Sequence, residues 1–523
     1  MSLIAIQLML STTILMDVRG LIIFFLYHSY PKYLLRKFTL FYVVLGEYCL
    51  PVYEDLPATL QTAYDASGIA SLMSSATQYI EDLISAWPAY IIALFTCLLL
   101  LFLYSVFIKY CAWLMAWLSY ILIFVFLVGL GVFTYTYGQN NYASDSDTQT
   151  ILLITSYVIW GIALLYVILV ICFYKDVRKS IAILQAAGAF MAGNMQILLV
   201  PLYSILFTIL FLVFWLCAFV CLFSVGTISS STTAGSQMRS VAWSETTRIL
   251  VYYLSFGLLW IVALVLACNF FVISCCVCSW YFTSTSDTRG KVEIFRSIGW
   301  TLRYNLGSLA FGSFILAVVW LIRIIFEYVA AKLKAAESDG NPMNFAIKCV
   351  VCCCRCCLAC VNRFVKFLTE NAYVQVALNC DSFCTAAYNS FMMVLKNAAT
   401  YALTETMGTI IITLGKFLIS LGNTLILFVV ITKAPFISTE INSPFAPSIL
   451  IFIISFTFTS IFLSIYNVSS TSIMQCFIVD VEISKKEGRD HVYGDNRPEE
   501  LSDLIQNYTS KKDERDEKTN AVN

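Results

Sequence analysis

The sequence predicts an all-α, polytopic transmembrane helical bundle of about nine or ten spans, and three observations carry that prediction. Hydrophobic residues make up 60% of the 523 and charged residues 12%, against roughly 25% charged in an average soluble domain. Mean hydropathy is +0.81. Long windows carry no charge, whereas Lys, Arg, Asp and Glu crowd into the tail after Asp480. A helix needs about 20 mostly apolar residues to cross a hydrocarbon core, because each unpaired backbone polar group there costs several kcal/mol.

The first candidate span, Asp17–Tyr30, is short and opens on Asp17 and Arg19. The preceding run Ser2–Met16 lacks the basic start and cleavage site of a signal peptide, and either lies in the interface or lengthens that span. Eight continuous apolar runs follow: Pro88–Ile108, Cys111–Tyr137, Thr150–Tyr174, Ile197–Val225, Ile249–Phe282, Leu306–Phe326, Tyr401–Ile431 and Ile449–Val479. Several exceed the minimum length, which predicts tilt or protrusion. Pro201, with Gly188 and Gly193 before it, permits a break or hinge. Five segments result: 1–87, the first span and a short external segment; 88–326, spans two to seven; 327–400, a basic Cys-rich juxtamembrane segment with room for an additional span; 401–479, the last two spans; and 480–523, a mobile cytosolic tail with a short helix at Pro498–Tyr508.

Orientation follows from the excess of Lys and Arg in cytoplasmic loops. Gly138–Gln149 holds Asp145 and Asp147 and no basic residue, so it reads as external; Lys175, Arg178 and Lys179 read as internal. The Ser/Thr-rich loop Thr227–Thr247 and the acidic segment Tyr53–Trp87 read as external, and the segment with Arg289, Lys291, Arg296 and Arg303 as cytosolic. Two stretches oppose the rule. Lys32, Arg36 and Lys37 fall outside, as do Lys332, Lys334, Lys348, Arg355, Arg363, Lys366 and Lys396 if Leu306–Phe326 leads outward. Either that helix is re-entrant or part of Phe345–Leu395 crosses back.

Several motifs stand together in the second half of the chain. Arg303, Tyr304, Asn305, Leu306, Gly307, Ser308, Leu309, Ala310, Phe311 and Gly312 open the seventh span. Phe256–Trp260 (FGLLW), Ser279–Tyr281 (SWY), Asn371–Tyr373 (NAY), Phe383–Cys384 followed by Ala386, Ala387 and Phe391, and Leu414–Lys416 (LGK) follow one another around them. This order resembles the choline transporter-like family of polytopic membrane proteins, with echoes over roughly residues 90 to 485. The resemblance implies ten spans, cytosolic termini and transport of choline. Three departures stand beside it. Asn305 occupies the place of the family's usual histidine, Thr471 and Ser472 precede Cys476 where the family shows Asp-Thr, and the first external interval holds only Cys49. Two ionisable positions are thereby neutral, which bears on proton- or ion-linked coupling.

A quaternary ammonium donates no hydrogen bonds, so proteins recognise it with aromatic faces at about 0.5–2 kcal/mol per contact. Trp215, Tyr252, Tyr253, Phe256, Trp260, Trp280 and Tyr304 sit in or beside the central spans and are the substrate-contact candidates, with Tyr281 and Trp320 nearby. Tyr253, Phe256 and Trp260 share a helical face. The same rings also suit interfacial belts and helix packing. Lys416, mid-span, is too far from either end to snorkel and points to a functional or ion-paired role, while Arg303 and Asn305 are the other coupling or gating candidates. Arg323 reads as snorkelling, and Asn269 as an interhelical hydrogen-bond donor or a polar path.

The run Cys349, Cys352, Cys353, Cys354, Cys356, Cys357 and Cys360 contains zinc-like spacings. Helical placement is expected to splay these thiols around the cylinder, against convergence on a metal. Beside Lys348, Arg355, Arg363 and Lys366 the run reads as an S-acylated or interfacially buried surface helix.

Catalytic signals are few. The two histidines, His28 and His491, neighbour no nucleophile motif, and no Gly-rich phosphate loop, GxSxG or HExxH occurs. The sequons at Asn467 and Asn507 fall in a span and in the tail. Net charge is zero, which gives no pointer to nucleic acid. The expectation is therefore a non-enzymatic transporter without cofactor or metal, in the plasma membrane or an organellar one. Its partners are the lipid bilayer and a choline-like small cation moved by alternating access. The alternative is a non-transporting structural or scaffold subunit of a membrane complex that keeps the fold.

Overall fold

The computed structural model describes residues 82–83, 85–141, 146–225, 227–233, 236–242, 244–284, 290, 292–338, 345–433, 443–486, 498 and 501. The candidate span Asp17–Tyr30 and the run Ser2–Met16 lie outside these residues, as does all but Pro498 and Leu501 of the tail helix. The described residues are mostly helical: α1 Trp87–Asn141, α2 Ser146–Cys172, α3 Tyr174–Gly193, α4 Leu199–Phe223, α5 Glu245–Thr283, α6 Ile294–Trp300, α7 Leu306–Ser338, α8 Phe345–Asn379, α9 Phe383–Lys396, α10 Ala398–Lys433 and α11 Phe445–Lys486. The loop after α4 carries one antiparallel hairpin, β1 Thr227–Thr233 with β2 Ser236–Ala242.

Among the described residues eight stretches are long and apolar enough to cross a membrane, and each overlaps one of the eight runs read from the sequence. The protein is an integral, multi-pass membrane protein. Cys111 interrupts α1 with φ −115° and ψ 18°, which divides it into two spans at the place where Lys109 breaks the apolar pattern. At the start of α5 the Ser244 hydroxyl accepts the Thr247 amide at 3.2 Å, satisfying one of the orphan donors of a helix N-terminus.

Between residues 345 and 395 the chain forms the long helix α8, which packs against α7. Two contacts fix its register against α7. Arg355 grips Glu327 with two hydrogen bonds, at 2.9 and 2.7 Å, and the Tyr373 hydroxyl donates to the Leu309 carbonyl at 3.3 Å. The two contacts lie equally far apart along both helices, which therefore run antiparallel for about 27 Å at 1.5 Å per residue. That distance is close to the thickness of a hydrocarbon core, about 30 Å. Apolar-run reading missed α8 because Lys348, Arg355, Arg363, Lys366 and Glu370 are spread along it.

By contacts the described residues divide into two compact units, one made of those up to Leu103 with Leu414–Ser464 and the other of Tyr104–Thr413 with the residues from Ile465. In the larger unit, Ala267, Phe271 and Cys275 of α5, Leu309 of α7, Ala372, Tyr373 and Val376 of α8, and Phe383 and Ala386 of α9 form one apolar core. Gly312 lets α8 and α9 close on α7. A Cβ there would sit 2.6 Å from both the Tyr373 hydroxyl and the Phe383 ring. Gly312→Ala is therefore expected to destabilise the unit by about 1–3 kcal/mol through overpacking, read as a lower midpoint of thermal unfolding in detergent. An unchanged midpoint would contradict this packing. In the same unit α3 and α10 run parallel. Thr400 donates to Asp176 at 3.1 Å and Thr404 to Ser180 at 3.0 Å, both at an offset of 224 residues.

In the smaller unit one buried amide joins three helix segments. Asn423 accepts from the Thr96 hydroxyl at 2.5 Å and donates to the Ala93 carbonyl at 3.0 Å and the Ser455 hydroxyl at 2.8 Å. Ala89, Ala93, Leu427, Ile431 and Ile451 pack beside it. A fully satisfied polar hub of this kind holds apolar helices together where lipid offers no hydrophobic drive for association.

Candidate functional site

The richest buried chemistry lies where the C-terminal ends of α5 and α11 run parallel in the larger unit. Three side-chain contacts step along this seam in nearly constant register. Ser472 donates to Ser274 at 3.1 Å, the Cys476 and Cys278 sulfurs stand 3.6 Å apart, and the Tyr281 hydroxyl donates to Asp480 Oδ2 at 3.2 Å. Their offsets are 198, 198 and 199 residues. Small side chains at 274, 278, 472 and 476 allow the close approach, as small residues do between membrane helices.

Aromatic rings gather around the end of the seam. Trp280 stands edge-on to Phe190 of α3 at 5.4 Å between centroids, and Tyr281 edge-on to Phe282 at 5.0 Å. Phe190 and Tyr281 have no exposed surface, and Trp280 and Asp480 are also buried. A carboxylate buried beside a phenol ring, with an indole at the preceding residue of the same helix, combines a negative charge with π faces. That pairing attracts a cation without needing hydrogen bonds from it.

An amide chain braces the seam from α8. Gln475 donates to Asn371 Oδ1 at 2.7 Å, Gln375 donates to Gln475 Oε1 at 3.1 Å, and Asn379 donates to Gln375 Oε1 at 3.1 Å. Asn371, Gln375 and Gln475 are buried, and every link is made. Such a network fixes the rotation of α11, and with it the direction of Asp480 one turn on.

The sequence-predicted contact residues fall in different places. Trp280 is part of the cluster. Phe256 and Trp260 come together on Phe314 of α7, at 5.7 and 5.5 Å, and the Trp260 N–H donates to the Ala310 carbonyl at 3.2 Å. Trp215 is buried, stacked on Phe219, with its N–H donated to the Leu254 carbonyl at 3.0 Å. Tyr252, Tyr253 and Tyr304 have exposed rings, at 68%, 74% and 70%. The Arg303 guanidinium lies 5.6 Å over the Tyr304 ring. Asn305 donates to the Trp300 carbonyl at 3.2 Å within the π-helical turn Thr301–Asn305, so its amide serves the backbone there. Lys416 is buried in the smaller unit.

The cysteine run differs from expectation. Six of its thiols, Cys349, Cys352, Cys353, Cys356, Cys357 and Cys360, are exposed. At 3.6 residues per turn they fall within an arc of roughly 140°, so they form one face instead of splaying around the helix. Arg355, which meets α7, lies outside that arc. Among the described residues no group of three His, Cys, Asp or Glu side chains is placed to hold a metal ion.

Sequence reasoning passed over Phe190 and Asp480. Asp480 was assigned to the tail, whereas α11 continues to Lys486 and carries it as a buried helical residue. An acid flanked by Val479 and Val481, with Glu482 after it, was the available signal.

Comparison with known proteins agrees with this architecture. A family described as plasma-membrane choline transporter matches residues 157–482, more than half of the chain. Choline transporter-like 2 of Anopheles gambiae is 31% identical over 226 residues, covering 43% of this chain and 28% of that protein. Choline transporter-like protein 2 of Xenopus laevis is 25% identical over 479 residues, covering 81% and 66%. The Homo sapiens protein of the same name is 31% identical over 233 residues, covering 44% and 32%. The chain thus spans between 28% and 66% of these relatives' own lengths. The matched region contains α3, α5, α7 and α8 and all but the last turn of α11, including the seam and its acid, and the chain belongs to the choline transporter-like family.

Proposed function

We propose that the protein is a plasma-membrane transporter that moves choline or a related organic cation by alternating access, without a chemical reaction. The observation that carries this reading is the buried set Trp280, Tyr281, Phe190 and Asp480 at the end of the α5–α11 seam. The carboxylate supplies the charge that a quaternary ammonium needs, and the rings supply faces that accept its methyl groups without asking for N–H donors. The names of the relatives support choline as the first substrate to test.

Each residue has a distinct part. Asp480 neutralises the cation, and the Tyr281 hydroxyl orients the carboxylate by donating to one of its oxygens. Trp280 offers the indole, the strongest cation-attracting ring, and Phe190 holds that indole edge-on. Alternating access requires the rings to part when substrate arrives. Seams built from serine and cysteine contacts suit such sliding better than interlocked branched side chains.

The test is saturable uptake of radiolabelled choline into proteoliposomes holding the full chain. Trp280→Ala is expected to raise the half-saturating concentration about 2- to 30-fold, the equivalent of about 0.5–2 kcal/mol of cation–π attraction. Wild-type uptake equal to that of empty vesicles would overturn the proposal.

A further inference from the structure

Cys278 and Cys476 have no part in the reading above, yet their position is unusual. Their sulfurs are 3.6 Å apart, in van der Waals contact, on two different helices. Both are buried. The contacts on either side of them, Ser274 with Ser472 and Tyr281 with Asp480, hold the register to within one residue, so the pair is held facing by its neighbours instead of meeting by chance. Other buried thiols nearby are engaged differently, as Cys276 is with the Ser297 hydroxyl at 3.4 Å.

We infer that Cys278 and Cys476 are a redox-modification site: a peroxide-class oxidant joins them in a reversible disulfide that ties α5 to α11 one turn from Asp480. The chemistry balances. One thiol, as thiolate, attacks a peroxide oxygen, the O–O bond breaks, and a sulfenic acid and water form. The second sulfur then displaces hydroxide from the first, the S–S bond forms, and a second water leaves. Two S–H bonds are lost, the sulfur pair gives up two electrons, and hydrogen peroxide takes them. The sulfurs start 3.6 Å apart and close to the roughly 2.05 Å of a disulfide.

Burial keeps these thiols inert to oxidants in bulk water, so reaction requires the seam to open. That requirement couples the modification to conformation. A disulfide formed during an opening event fixes the two helices whose ends carry Trp280, Tyr281 and Asp480. The functional half of the inference rests on the transport reading; the chemical half does not.

The experiment uses membranes containing the full chain, treated with hydrogen peroxide and then digested without reductant for mass spectrometry. A peptide pair linked through Cys278 and Cys476 is expected, absent in Cys476→Ser and in Cys278→Ser, and lost on treatment with dithiothreitol. Choline uptake in proteoliposomes is expected to fall severalfold on oxidation, to recover with dithiothreitol, and to be insensitive in both serine variants. Oxidation of the exposed Cys349–Cys360 thiols without the Cys278–Cys476 linkage would overturn the site. A linkage that leaves uptake unchanged would overturn its control of transport. If no sample transports choline, the transport reading fails while the linkage is still decided by mass spectrometry.

Discussion

Asp480→Asn is expected to weaken choline transport more than any other single substitution in the site. The change keeps the size of the side chain and leaves an oxygen to accept from the Tyr281 hydroxyl, which lies 3.2 Å away in the wild type. Only the charge goes. Two unit charges about 4 Å apart attract by about 4 kcal/mol at an effective dielectric of 20, and desolvation offsets part of that. A net loss of roughly 1.4–2.8 kcal/mol corresponds to a 10- to 100-fold higher half-saturating concentration. Asp480→Glu, which keeps the charge and moves it by one methylene, is expected to lie between the two. Equal uptake by wild type and Asp480→Asn would remove the carboxylate from any role in recognition.

Gln475→Leu is expected to be the most destabilising substitution near the site. Leucine is apolar and of similar volume, so packing is largely kept while the amide chain is cut. Asn371 Oδ1 loses a donor at 2.7 Å and the Gln375 amide loses an acceptor at 3.1 Å. Each buried group left without a partner costs about 1–3 kcal/mol, against a total stability of about 5–15 kcal/mol for a typical domain. Thermal unfolding in detergent should show a marked drop in midpoint. The double change Asn371→Leu with Gln475→Leu should cost less than the two single costs combined, because it removes donor and acceptor together. Strict additivity would contradict the network.

The span pattern was legible because a long apolar run is a direct record of lipid exposure. All eight runs correspond to helices of the right length, and the kink at Cys111 falls beside Lys109, where charge interrupts the run. α8 was hidden for the opposite reason. Its charges lie along the whole helix, and the Arg355–Glu327 pair that holds one end of it joins residues 28 apart in the chain, a spacing that no helical periodicity reports. The expected splay of the thiols around α8 does not survive the spacing itself: at 100° steps Cys349 and Cys360 fall on one side.

The site was legible only in part. Trp280 and Tyr281 stand in a recognisable Ser-Trp-Tyr piece, so their ring chemistry could be read at once. Their partner Asp480 lies 199 residues away on a helix that runs parallel to theirs, and only packing brings them together. The expected stripe Tyr253, Phe256 and Trp260 shares one face by spacing, yet Tyr253 is exposed while Phe256 and Trp260 settle on Phe314. Helical spacing defines a face; it does not say whether protein or lipid covers it.

The central claim is that a buried carboxylate and aromatic faces select a cation that has no N–H groups to donate. Equilibrium binding of radiolabelled choline to the purified protein, competed with tetramethylammonium and with ethanolamine, tests it most directly. Tetramethylammonium should displace choline effectively, ethanolamine far less so, and Asp480→Asn should bind neither tightly. Preferential displacement by ethanolamine would mean that hydrogen-bond acceptors read the ligand, and would contradict the claim.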